Sequence, residues 1–161
     1  MKAKILKIGS ACNNSCYFCF ERGRAYETDT IKIKAAIEEA RQDCEQLTIT
    51  GQEPAIHPDI LEIVRRAKEL QYKIIQIVSN GRMFAYKQFA QEMIFAGMNE
   101  LLVPIYSHRP ETHNKITGAE KSLEQTMRGI RNIQEISKTV SPFDSVAITA
   151  DIASASAYST R

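Results

Sequence analysis

What this sequence lacks narrows the field first. It contains no run of Lys or Arg, and its formal charge is only +2. A nucleic-acid partner would ask for a concentrated basic surface, so none is expected. No apolar stretch approaches the roughly eighteen residues needed to span a membrane. The opening residues, Met1 to Ile8, alternate polar and apolar and carry no secretory apolar core. Nor is this a disulfide-built scaffold, because a chain of 161 residues can bury a real core without staples. Together these absences point to the cytoplasm, where thiols stay reduced and available to metals. With 43% hydrophobic and 25% charged residues, the composition is that of an ordinary globular chain, and the length suits one domain.

One further absence is local. Cys12, Cys16 and Cys19 stand in Cys-Asn-Asn-Ser-Cys-Tyr-Phe-Cys, and no fourth cysteine lies beside them. A structural zinc site closes its tetrahedron with four ligands, which His57 or Cys44 would have to complete from elsewhere. A [4Fe–4S] cluster takes one thiolate per iron, so three thiolates would leave one iron open to a ligand that is not protein. The three could also be free thiols. Spacing alone leaves all three readings open.

Along the chain the hydrophobic period switches repeatedly between strand and helix. Strands are expected over Lys4–Ser10, Gln46–Thr50, Lys73–Ser79, Glu100–Tyr106 and Ser145–Thr149. Helices are expected over Ile31–Asp43, from Pro58 to about Leu70, over Tyr86–Ala96 and over Ala119–Ser137, with a long loop from Ser107 to Gly118. Such alternation predicts an α/β fold, a parallel sheet with outer crossover helices. The strands look apolar on both faces. Pro104 lies within the fourth, which predicts an edge position or a bulge. In such sheets chemistry gathers at the carboxyl ends of strands. The cysteines follow the first strand, Gly51-Gln52-Glu53-Pro54 the second, Ser79-Asn80-Gly81 the third and Ser107 the fourth, so all four segments would share one end.

The motifs resemble those of the radical S-adenosylmethionine (SAM) superfamily. The resemblance rests on the spacing of the three cysteines, on Phe18 just before the last, and on Gly51-Gln52-Glu53-Pro54, similar to the family's Gly-Gly-Glu-Pro segment. It implies a partial TIM-like (βα) barrel, here of about four to five βα units. Residues 1–149 would form this truncated core, and residues 150–161 a disordered or non-native tail. The resemblance also implies a [4Fe–4S] cluster on Cys12, Cys16 and Cys19, with SAM chelating the open iron. Phe18 would lie by the adenine. Gly51, Gln52, Glu53 and Pro54 would line the methionine end, and Asn80 and Ser107 would meet the carboxylate or ribose. The implied reaction is reductive cleavage of SAM to a 5′-deoxyadenosyl radical, which takes hydrogen from a substrate such as a peptide or cofactor precursor. A flavodoxin or ferredoxin would be the reductant. Gln52 departs from the pattern, adding bulk where the family has glycine.

Two other readings compete: a fragment or subunit that binds the cluster or SAM without turnover, and a zinc-binding α/β domain. Among remaining residues, Cys44 reads as a small core hydrophobe and His57 as a turn or cap residue. His108 and His113 read as solvated loop residues. Arg22 and Arg24 read as a solvated loop that could meet an anionic substrate or redox partner.

Overall fold

The computed structural model describes residues 2–140 and 146–152. The chain builds β1 (Ala3–Ile8), α1 (Thr30–Arg41), β2 (Gln46–Gly51), α2 (Ile60–Glu69), β3 (Ile74–Val78) and α3 (Lys87–Ala96). It continues through β4 (Glu100–Ile105), α4 (Pro110–Thr117), α5 (Ser122–Ser137) and β5 (Ala147–Ile152). All strand pairings are parallel, in the order β1-β2-β3-β4-β5. A strand order that never reverses, with right-handed crossovers, puts every crossover helix on one face of the sheet. The helices accordingly form a single layer, α1 on α2, α2 on α3 and α3 on α5. A sheet covered on one face and curling by its own twist is part of a (βα) barrel.

The two faces differ. Toward the helices, Leu47, Ile49, Ile75, Ile77, Leu101 and Val103 are buried against Ile33, Ile37, Ile63, Val64, Met93, Ile94 and Ile133. Each such side chain contributes about 1.5–3 kcal/mol by leaving water. The inner face is mixed, not apolar throughout as expected: Ile74, Val78 and Leu102 share it with a polar row. Thr48, Gln76 and Glu100 lie in register across β2, β3 and β4. The Thr48 hydroxyl donates to Gln76 Oε1 at 3.0 Å, and Gln76 Nε2 donates to Glu100 Oε2 at 2.9 Å.

Pro104 sits on an internal strand, not on an edge. Leu102 O accepts from Ser79 N–H at 3.0 Å, so alternate residues of β4 face β3. The β3–β4 register stops at Val78↔Leu102. Two residues on, the missing N–H of Pro104 is directed where no partner strand remains, while the β5 ladder continues to Ile105↔Ile152.

Three boundaries need correction. The expected loop over Ser107–Gly118 contains α4. Pro110 stands in its first turn, Glu111 favours its positive end, and Gly118 closes it in the left-handed region with φ +61°. Its buried face is His113 and Thr117, so it shows no apolar stripe. Pro58 precedes the Asp59 cap of α2 instead of entering the helix. The fifth strand runs to Ile152, past the expected boundary at 149; the rest of the expected tail, 153–161, lies outside the described residues. Among the described residues, no helix is long and apolar enough to cross a membrane.

Candidate active site

Between β1 and α1 the chain makes a long excursion over the carboxyl ends of the strands. Two backbone bonds seat it on the last turn of α4: Ser15 N–H to Thr117 O (2.7 Å) and Tyr17 N–H to Ile116 O (3.3 Å). Glu53 N–H ties it to β2 through Ala11 O at 3.1 Å. From β3, the Arg82 guanidinium donates to Asn13 O and, at 2.8 Å, to Asn14 Oδ1, while its Nε holds Gln125 Oε1 at 2.6 Å. On the returning leg, the Glu21 carboxylate takes Lys7 Nζ at 2.7 Å and the Tyr26 hydroxyl. Tyr26 and Glu27 then lie along the end of β1, bonded to Gly9.

Cys12, Cys16 and Cys19 are all free thiols on this excursion. Burial pushes the Cys16 thiol up to about 11, with further pressure from Cys12 and Cys19. Burial also raises Cys12, helped by the Glu53 carboxylate and Cys19. The three thiols share one hollow, where a bound metal would favour the thiolate form. Among the described residues no three His, Cys, Asp or Glu side chains converge as they would about one ion. A [4Fe–4S] cluster would be held by one thiolate per iron, and the three thiols line one hollow. The proposed zinc completers are engaged elsewhere. Cys44 packs on the core, and the His57 ring nitrogens meet Thr28 O and Asp59 N–H, each at 3.2 Å.

The hollow beneath the loop is lined by the three cysteines, Phe18, Gly51, Gln52, Glu53, Asn80, Pro104 and Tyr106, among others. The hollow opens to solvent at its mouth. The strand ends thus bring together five of the seven expected cofactor contacts. Pro54 and Ser107 are not among the lining residues. Pro54 is buried at the start of a 3₁₀ turn, Pro54–Ile56. Ser107 Oγ accepts from Arg109 N–H at 3.0 Å, ahead of α4.

Gly51 could be no other residue. Its φ is +131°, and an added Cβ would stand 2.3 Å from Ile8 O. Glu53 is 3% exposed and is spent on its own protein. Its Oε1 accepts from Ser79 Oγ (2.8 Å) and Ala55 N–H (3.0 Å), and its Oε2 from Asn80 N–H (2.8 Å). Burial raises its pKa against the pull of these donors. Asn80 in turn donates to Asn13 Oδ1 at 2.6 Å and approaches Cys12 Sγ at 3.9 Å.

Two site residues escaped the sequence reading. Tyr106 follows β4 directly and meets Phe18 edge to face with ring centres 4.9 Å apart, completing an aromatic wall. Arg82 lies just beyond Ser79-Asn80-Gly81, whose expected contact was Asn80 alone. The expected solvated His113 is 2% exposed; its Nδ1 accepts from Tyr106 N–H at 3.3 Å, and burial lowers its pKa.

A one-sided parallel sheet with a thiol-bearing loop over its strand ends defines the core of a (βα)-barrel enzyme fold. The chain belongs to the radical SAM superfamily, whose family model matches residues 6–147. A probable GTP 3′,8-cyclase of Saccharolobus islandicus is 30% identical over 135 residues, covering 81% of this chain and 43% of that protein. A probable GTP 3′,8-cyclase of Thermococcus kodakarensis is 29% identical over 142 residues, covering 85% and 44%. The chain therefore spans less than half the length of these relatives. By structure it is similar to Streptococcus suis SuiB bound to S-adenosylmethionine, with TM-score 0.71, 14% identity, and coverage of 93% of this chain and 33% of SuiB. Methylornithine synthase (PylB) gives TM-score 0.66 at 16% identity, covering 93% and 44%.

Proposed function

We propose that this chain carries the cluster- and SAM-binding half of a radical SAM enzyme. The supporting observation is that three thiols, an aromatic wall and the Gly51–Glu53 backbone converge on one hollow at the strand ends. Cys12, Cys16 and Cys19 hold a [4Fe–4S] cluster. When bound, that cluster supplies the electron that cleaves SAM to methionine and a 5′-deoxyadenosyl radical, which abstracts hydrogen from substrate.

The protein's part is to bind, orient and shield. Phe18 and Tyr106 offer the adenine a flat apolar flank. With both Glu53 oxygens engaged by neighbours, the polar backbone of Gly51 and Gln52, which line the hollow, is left to meet the SAM ammonium. Asn80 reaches the same side from β3. Pro54 and Ser107 serve from behind, by fixing the turn after β2 and the entry to α4. An electron donor of flavodoxin or ferredoxin type and a cytoplasmic setting complete the proposal. The substrate class is a cofactor precursor or a peptide; the first is suggested by the relatives named for GTP, the second by SuiB, also solved with the precursor peptide SuiA.

Anaerobic reconstitution followed by dithionite reduction tests this. A reduced [4Fe–4S] EPR signal that changes when SAM is added, with 5′-deoxyadenosine appearing on incubation, is the expected result. A signal indifferent to SAM, with no 5′-deoxyadenosine, would defeat it. A SAM-responsive signal without cleavage would favour the binding-only reading.

A further inference from the structure

Gln52 departs from the Gly-Gly-Glu-Pro pattern, and its side chain has a definite task. Its Nε2 donates to Glu21 O at 3.0 Å and to Arg24 O at 2.7 Å. Those carbonyls belong to the first and last residues of one tight turn. Arg24 N–H also donates to Glu21 O at 3.0 Å, and Gly23 supplies the positive φ, +77°, that the third position of such a turn favours.

This turn is the last of a series. Cys19 N–H donates to Cys16 O at 3.2 Å, and Arg22 N–H to Cys19 O at 3.4 Å. The Arg22 guanidinium folds back onto the carbonyls of Ser15 and Cys16, each at 2.7 Å. Cys16 and Cys19 thus stand at corners of a continuous ribbon of turns. Arg82 and α4 grip its beginning, and Gln52 grips its end. Glycine at position 52 would supply no grip.

We propose that Gln52 is a positioning residue: its amide clamps the Glu21–Arg24 turn to the end of β2 and so fixes Cys16 and Cys19 before any cluster arrives. The inference rests on the reading that these cysteines hold a cluster. Hydrogen exchange on the metal-free protein compares wild type with Q52G and Q52M; methionine keeps the length of glutamine without its donors.

The amides of Cys19, Arg22 and Arg24 are expected to exchange about tenfold faster in both variants, as loss of two hydrogen bonds implies. Amides of β2 and β3 keep wild-type protection and serve as the folding control. After anaerobic reconstitution, both variants are expected to lose iron to a chelator faster than wild type. Unchanged exchange in both variants overturns the proposal. So does Q52M matching wild type, which would assign the effect to bulk. If the wild type takes up no cluster, the reading of function fails, while the exchange comparison still decides whether Gln52 is a clamp.

Discussion

Ile77 on β3 and Cys16 on the loop above it are held by different forces. Ile77 is fully buried among apolar neighbours and needs only to be the right size. Cys16 is half-exposed, and its place is set by hydrogen bonds from Arg22, Cys19 and the α4 seat of Ser15. Close packing tolerates a swap that keeps the volume; a polar scaffold depends on each donor and acceptor. The helix-covered face should therefore govern stability, and the loop should govern ligand binding, with little overlap.

The sharpest break between the two is Cys16→Ala. Iron and sulfide content after reconstitution should fall nearly to zero, with the urea midpoint of the metal-free protein unchanged. Ile77→Ala should do the reverse, destabilising by about 2–5 kcal/mol in urea unfolding while any folded fraction still takes up iron. Gly118→Ala tests the join. The residue has a left-handed φ, and its Cβ would come within 2.7 Å of Ser15 O. A cost of about 1–3 kcal/mol is expected, together with faster exchange of the Ser15 and Tyr17 amides.

His113 gives the join a pH dependence. Burial holds its pKa below the ordinary 6.5, so the unfolded chain takes up the proton first as pH falls. Its contribution to stability is complete above 6.5 and erodes as pH drops below that toward the lowered folded value. Unfolding curves at a series of pH values should show this erosion, and His113→Gln should remove it. The smallest effect belongs to Lys87→Ala. Its bridge to Glu135 (3.0 Å) lies between two largely exposed side chains, so the urea midpoint should move by less than about 0.5 kcal/mol equivalent.

The layered core was legible in sequence because isoleucine, valine and leucine recur at helix and strand periods in α2, α5, β3 and β4. So was the clustering of motifs at one end, since a parallel sheet leaves few other arrangements. α4 was not, because its buried residues are histidine and threonine, satisfied by hydrogen bonds no hydrophobic pattern reports. Arg82 and Tyr106 were missed for a related reason. Each acts across the sheet on a residue far away in sequence, and nothing local marks an arginine or tyrosine as a strut. Gln52 was legible as a residue of the methionine end and as a departure from the pattern, but its partners at 21 and 24 could be found only in space.

The α4 seat of the cysteine loop also orders events in time. A ribosome releases Cys12, Cys16 and Cys19 early, at roughly 5–20 residues per second, whereas Thr117, which accepts from Ser15, emerges much later. β1, β2 and β3 can zip together in sequence as they appear, each on its predecessor. The thiol loop cannot take its final form until the chain has passed α4. On the proposed function, cluster loading would be deferred until most of the sheet exists, and a nascent chain stalled before that point would present its cysteines without the α4 seat.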